Sequence, residues 1–294
     1  MSEQFSRRQA LAMAGAAGLV AAASPAFGAP DWDKPFDVHA HMEPRTPGYG
    51  PFGTLTQMVN QHYQERLDYM DRNGIVRSAV SAGYGYRRTE GIANTRAMND
   101  MIAGLVAKNP QRLPVGIGVV QVSDGEASLV ELERMAKDLK LRGVGWHHVN
   151  EGVYIDDPFM RPLLRQCQSL GLIPFIHVRE REFENWWRLD VLAGEFPDMT
   201  IVAMSGITTT DDREHGVEIM LRRKNLLMDT APAIYGGDQF LPDMVKRVGA
   251  DRVLFGTDSN PTLTLDVIRR SSLSDEDKKK ILSGNTAKLF GQPA

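Results

Sequence analysis

The sequence predicts an α/β chain closed into a single (β/α)8 barrel. Three observations predict it. From residue 32 onward, short apolar runs alternate with amphipathic stretches about eight times over roughly 260 residues, the size of such a barrel. The runs show little polar alternation, as parallel strands covered on both faces do. No glycine-rich phosphate loop follows the first run, which sets aside an open, doubly wound sheet.

"FDVHAHM" at 36–42 opens the series as a strand, and "QMVNQHYQERLDYMDRN" follows as a helix closed by Asn73-Gly74. "RSAVSAG" is the second strand; its helix is read as starting on an Asn94 cap and stopping at Pro110. "LPVGIGVV" leads into "SDGEASLVELERMAKDLK". There Ser123 and Glu126 predict a capping box, and Leu129, Leu132, Met135 and Leu139 line one helix face. "RGVGWHHV" and "IPFIHV" are the fourth and fifth strands, each followed by a helical stretch, "DPFMRPLLRQCQSLG" and "WWRLDVLAGEF". "TIVAMSG" and "LLMDTAP" repeat the pattern, with "HGVEIMLRRKN" and "QFLPDMVKRVGA" as their helices. "RVLFGTDS" is the eighth strand, before a helical C-terminus ending in "GNTAKLFG". No domain boundary or low-complexity segment interrupts residues 32–291.

The first 28 residues stand apart from this rhythm. Arg7 and Arg8 precede an Ala/Gly/Leu run that ends in the small-x-small site Ala26-Phe27-Gly28, which reads as a twin-arginine-type signal peptide. The run falls short of the roughly 20 residues a membrane span needs. The expected location is therefore the periplasm. A net charge of −3 gives no basic face for nucleic acid, and a single cysteine, Cys167, excludes a disulfide framework. The expected partner is a small-molecule substrate, with a homodimer possible.

In a barrel, the chemistry sits where strands end and strand-to-helix loops begin. His39 and His41 end the first strand, His147 and His148 the fourth, His177 the fifth and Asp258 the eighth. Only His62 and His215, of the seven histidines, lie away from such positions. Imidazole nitrogens and a carboxylate oxygen suit Zn²⁺ or another divalent ion. Barrel closure makes the eighth strand a neighbour of the first, which lets Asp258 reach an ion held by His39 and His41. Asp37 shares their strand face one step deeper and reads as a supporting partner rather than a ligand.

"DVHAHM", "DDPFMRPLLRQCQSLGLIPFIHV", "RVLFGTD" and "GNTAKLFG", in this order over residues 35–291, resemble the amidohydrolase-related family. Its relatives include metal-dependent hydrolases and aminocarboxymuconate-semialdehyde-type decarboxylases. The resemblance implies a TIM barrel with one metal ion in the ligand positions His39, His41, His177 and Asp258, and a structural Asp229. One position departs. Where the family's sixth strand carries a histidine beside the metal-bound water, this chain has Ser205, whose hydroxyl cannot exchange protons near neutral pH. The fourth strand offers no lysine, so the expected site is mononuclear.

These features set up a leading expectation: metal-assisted hydrolysis of a small amide, lactone or ester bond, with Asp258 and His147 as the catalytic pair. Non-oxidative decarboxylation of a small cyclic or unsaturated acid is the alternative, and a metal-retaining binding protein of low activity the third. Arg87, Arg88, Arg179 and Arg181 are candidates to hold a substrate carboxylate, with Tyr84, Tyr86, Trp186 and Trp187 in the same loops. His148 and Ser205 are further candidates at the site. His215, ten residues after Ser205, could fold back into the place of the missing histidine but is expected to face solvent.

Overall fold

The computed structural model describes residues 30, 32–42, 55–83, 86, 88–231, 237–258 and 262–293. The proposed signal peptide, Tyr84 and Arg87 lie outside the described residues, as does the side chain of His62. Eight parallel strand positions follow one another around the molecule. They are β1, in two pieces, Phe36–Asp37 and His41–Met42; β2, Arg77–Ala82; β3, Val115–Val119; and β4, Gly143–Trp146. Then come β5, Ile173–His177; β6, Ile201–Met204; β7, Leu226–Asp229; and β8, Val253–Leu254. Each pairs in parallel with the next. Backbone bonds from Val38 to Phe255, and from Thr257 and Asp258 to the carbonyl of His39, bring β8 against β1 and all but close the ring. This is the barrel that the alternating pattern predicts.

The first strand is not straight. Asp37 pairs with Ser78 and His41 with Ser81, so four steps on β1 face three on β2. The extra residue is a bulge, and it releases Val38 and His39 to bond across to the β8 side. The sequence reads 36–42 as one strand because a bulge leaves no mark on an apolar–polar alternation.

Helices cover the outside. Leu55–Asn73 (α1) ends on Gly74 at φ 70, the left-handed turn that a C-capping glycine supplies. Two start signals are corrected. The second helix, Ile92–Lys108, begins after Gly91, and Asn94 instead accepts the amide of Glu90 through its side chain. The third, Glu126–Lys137, follows Gly125 without a side-chain cap; Ser123 sits in a 3-10 turn, and its amide and hydroxyl bond Glu151. A capping box does form at Thr209 and Asp212, which start the helix Thr210–Arg222.

Trp146, Trp186, Phe36, Phe175 and Phe255 are among the largest fully buried side chains, and Cys167 is a free, buried core residue. No helix of the described residues is long and apolar enough to cross a membrane.

Candidate metal centre

At the carboxyl ends of β1 and β8, His39, His41 and Asp258 each offer a ligand atom within 4.8 Å of the other two. The Nε2 atoms of His39 and His41 face each other 2.9 Å apart, and Asp258 Oδ1 lies 3.4 Å from His41 Nε2. The opposite ring nitrogens are already committed. His39 Nδ1 meets Asp229 Oδ2 at 2.5 Å, and His41 Nδ1 lies 2.9 Å from the Ser81 hydroxyl and 3.1 Å from the carbonyl of Ala82. With protons on both Nδ1 atoms, two Nε2 lone pairs would repel at this distance unless a cation lies between them. Either a proton or a metal ion meets that need. Without a metal the proton goes to His39: burial opposes it, but the Asp229 carboxylate raises its pKa to about 9. Burial, together with that neighbouring charge, lowers His41 to about 3. The donor set of two imidazoles and a carboxylate fits a divalent ion.

The trio is held from behind. Asp229, at the end of β7, receives His39 on one oxygen and the amides of Ser205 and Ala231 on the other, at 3.0 and 3.2 Å. Gly256 makes room for this pair, since a Cβ there would stand 3.0 Å from His39 Cβ and 3.1 Å from Asp229 Cβ. Asp37 accepts from Arg66, from the amide and hydroxyl of Thr257 and from the amide of His39. It ties β1 to β8. Ser205 takes a left-handed φ of 59, and its buried hydroxyl has no hydrogen-bond partner among the described residues.

His177 joins a second cluster. Its Nδ1 lies 2.9 Å from Glu184 Oε2, and His147 Nδ1 lies 2.6 Å from Glu184 Oε1. The two rings stack with centroids 3.9 Å apart and planes 15° from parallel. Glu184 also accepts the amide of Val149. Burial works against its charge, but the hydrogen bonds of His147 and His177 hold its carboxyl well below the usual carboxylate range. Burial lowers His177 to about 4, which keeps it neutral. Sequence reasoning missed Glu184. It lies in the polar loop "REREFEN", which reads as solvated, and nothing in that pattern separates it from Glu180 and Glu182.

Of the remaining candidates, His148 is fully buried beside this cluster with neither ring nitrogen hydrogen-bonded among the described residues, and burial lowers its pKa to about 3. His215 faces outward, bonded to Glu180 at 2.7 Å, and does not refill the place at Ser205. Arg88 is engaged by Asp124 and Ser123. Arg179 follows β5, and its Nε is buried without a hydrogen-bond partner among the described residues. Tyr86 bonds Thr95 and Gln121; Trp186 is core, its indole on the carbonyl of Gly206, and Trp187 is exposed.

Known proteins share this arrangement of the chain. It is 31% identical over 117 residues to the 2-amino-3-carboxymuconate-6-semialdehyde decarboxylase of Dictyostelium discoideum, covering 38% of this chain but only 32% of that enzyme's length. It is 25% identical to the gamma-resorcylate decarboxylase of a Rhizobium species, covering 76% of this chain and 86% of the relative. The crystal structure of 5-carboxyvanillate decarboxylase from Novosphingobium aromaticivorans, with manganese and 4-hydroxy-3-methoxy-5-nitrobenzoic acid, superposes with a TM-score of 0.66. That pair is 16% identical, over 89% of this chain and 97% of the other. The amidohydrolase family model matches residues 36–292, the whole barrel, and the chain therefore belongs to the amidohydrolase family of metal-dependent enzymes.

Proposed function

We propose that the protein is a metal-dependent, non-oxidative decarboxylase of a small carboxylic acid on a cyclic or unsaturated skeleton. The observation that carries this reading is the facing Nε2 pair of His39 and His41 with Asp258 beside it, in a chain whose near-full-length relative is a decarboxylase. In the reaction a C–C bond breaks, CO₂ leaves without its bonding electrons, and a proton is captured at the carbon that keeps them. When bound, the ion holds substrate oxygens and draws electron density from the breaking bond.

His39, His41 and Asp258, with His177 as the fourth ligand, hold the ion; zinc and manganese both suit this donor set. Arg179 supplies a guanidinium for the substrate carboxylate, in keeping with a buried Nε that has no hydrogen-bond partner among the described residues. His147, held through Nδ1 by Glu184, takes over the proton duty that Ser205 cannot perform. Hydrolysis is the second reading. It is favoured by Asp258, a carboxylate at the ion that can accept a proton from water. The arginine pair Arg7-Arg8 and the Ala26-Phe27-Gly28 site support export to the periplasm, which N-terminal sequencing of the mature protein tests.

A panel of hydroxylated benzoates and unsaturated acids, run beside simple amides and lactones on the metal-loaded protein, decides the reaction. Released CO₂ matched by a product lacking the carboxyl supports the proposal. A water-added product without CO₂ replaces it with hydrolysis.

A further inference from the structure

We infer that Glu184 is a positioning residue: one carboxylate fixes the tautomers of His147 and His177 together and leaves Nε2 of His177 as its ligand atom. The inference rests on the metal-centre reading above. A carboxylate offers only acceptors: His177 Nδ1 hydrogen-bonds Oε2 at 2.9 Å and so carries a proton, and His147 Nδ1, in ion-pair contact with Oε1 at 2.6 Å, would meet lone-pair repulsion without one. A ring protonated at Nδ1 alone keeps its lone pair on Nε2. For His177 that is the electron pair a ligand needs. For His147 it leaves an acceptor atom beside the ligand.

Three features make the arrangement a built one. Glu184 is fully buried, and among the described residues its two oxygens meet the two imidazoles and the amide of Val149. Its backbone is pinned on both sides, by the Arg179 amide on its carbonyl and by its own amide on the carbonyl of Arg181. The two rings stack 3.9 Å apart and 15° from parallel beside that one carboxylate. His41 is held differently, between the Ser81 hydroxyl and the Ala82 carbonyl, and His39 by Asp229. Glu184 would thus do for β4 and β5 what Asp229 does for β1.

Histidine-selective ¹⁵N labelling with long-range ¹H–¹⁵N correlation reads the tautomers directly, with signals assigned through His147→Gln and His177→Gln. The expected result for the metal-free wild type is the Nδ1–H tautomer for both residues. In Glu184→Gln the amide presents one donor and one acceptor, so at least one histidine must switch to Nε2–H. Chelator competition should show a 10–100-fold weaker hold on zinc, the loss typical when a ligand's supporting partner is removed. An Nε2–H tautomer at either histidine of the wild type overturns the inference, as does unchanged zinc affinity in a folded Glu184→Gln. If that variant does not fold, the wild-type spectrum alone decides. None of these readouts depends on turnover, so a failed decarboxylase assay leaves the test intact.

Discussion

His39 Nδ1 and Asp229 Oδ2 lie 2.5 Å apart, fully buried, and the second oxygen of Asp229 is filled by two backbone amides. The aspartate can therefore take only a protonated nitrogen from His39, which leaves Nε2 as the ligand atom.

Asp229→Asn breaks this logic. If the asparagine oxygen stays on the amides of Ser205 and Ala231, its NH₂ faces His39 and pushes the ring proton to Nε2. We expect metal affinity to fall about 10–100-fold, measured by chelator competition. Unchanged affinity would show that Asp229 does not set the His39 tautomer.

Asp37 and Arg66 form a buried ion pair completed by Thr257 and Ser78. Removing one partner leaves an uncompensated buried charge. Asp37→Ala should cost about 3–5 kcal/mol in denaturant unfolding. A loss below about 1 kcal/mol would mean that the pair is solvated and does not join β1 to β8.

His148 gives a pH signature. Its pKa is lowered by burial from 6.5 to about 3, so the unfolded chain binds its proton first. Its contribution is complete above pH 6.5 and is lost as pH falls toward 3, with a slope approaching about 1.4 kcal/mol per pH unit. Wild type and His148→Leu, compared by urea unfolding across this range, should diverge with that slope. Parallel curves would mean that the imidazole is hydrated in the folded state.

The barrel was legible because its two signals are local. Buried parallel strands are apolar throughout, and helices carry a stripe, as at Leu132 and Met135. The positions of His39, His41 and Asp258 followed from strand ends. What could not be read depends on contacts between distant segments. The β1 bulge is a matter of register with β2 and β8. Ser123 resembles a cap, but Gly125 at φ 56 turns the chain before the helix starts. The glutamates of the loop after β5 have different fates: Glu180 goes to His215, Glu182 to Tyr154 and Glu184 to the two site histidines. Their local sequence is the same alternation of charges, and only the fold over β4 separates them.

The account depends most on an ion held between His39, His41 and Asp258. Elemental analysis of the purified protein, with X-ray absorption at the edge of the metal found, tests this most directly. The account predicts one divalent ion per chain, with nitrogen and oxygen ligands at about 2.0–2.2 Å and no sulfur, lost together in His39→Ala and Asp258→Asn. A protein that holds no stoichiometric metal, or keeps the same ion in both variants, contradicts it.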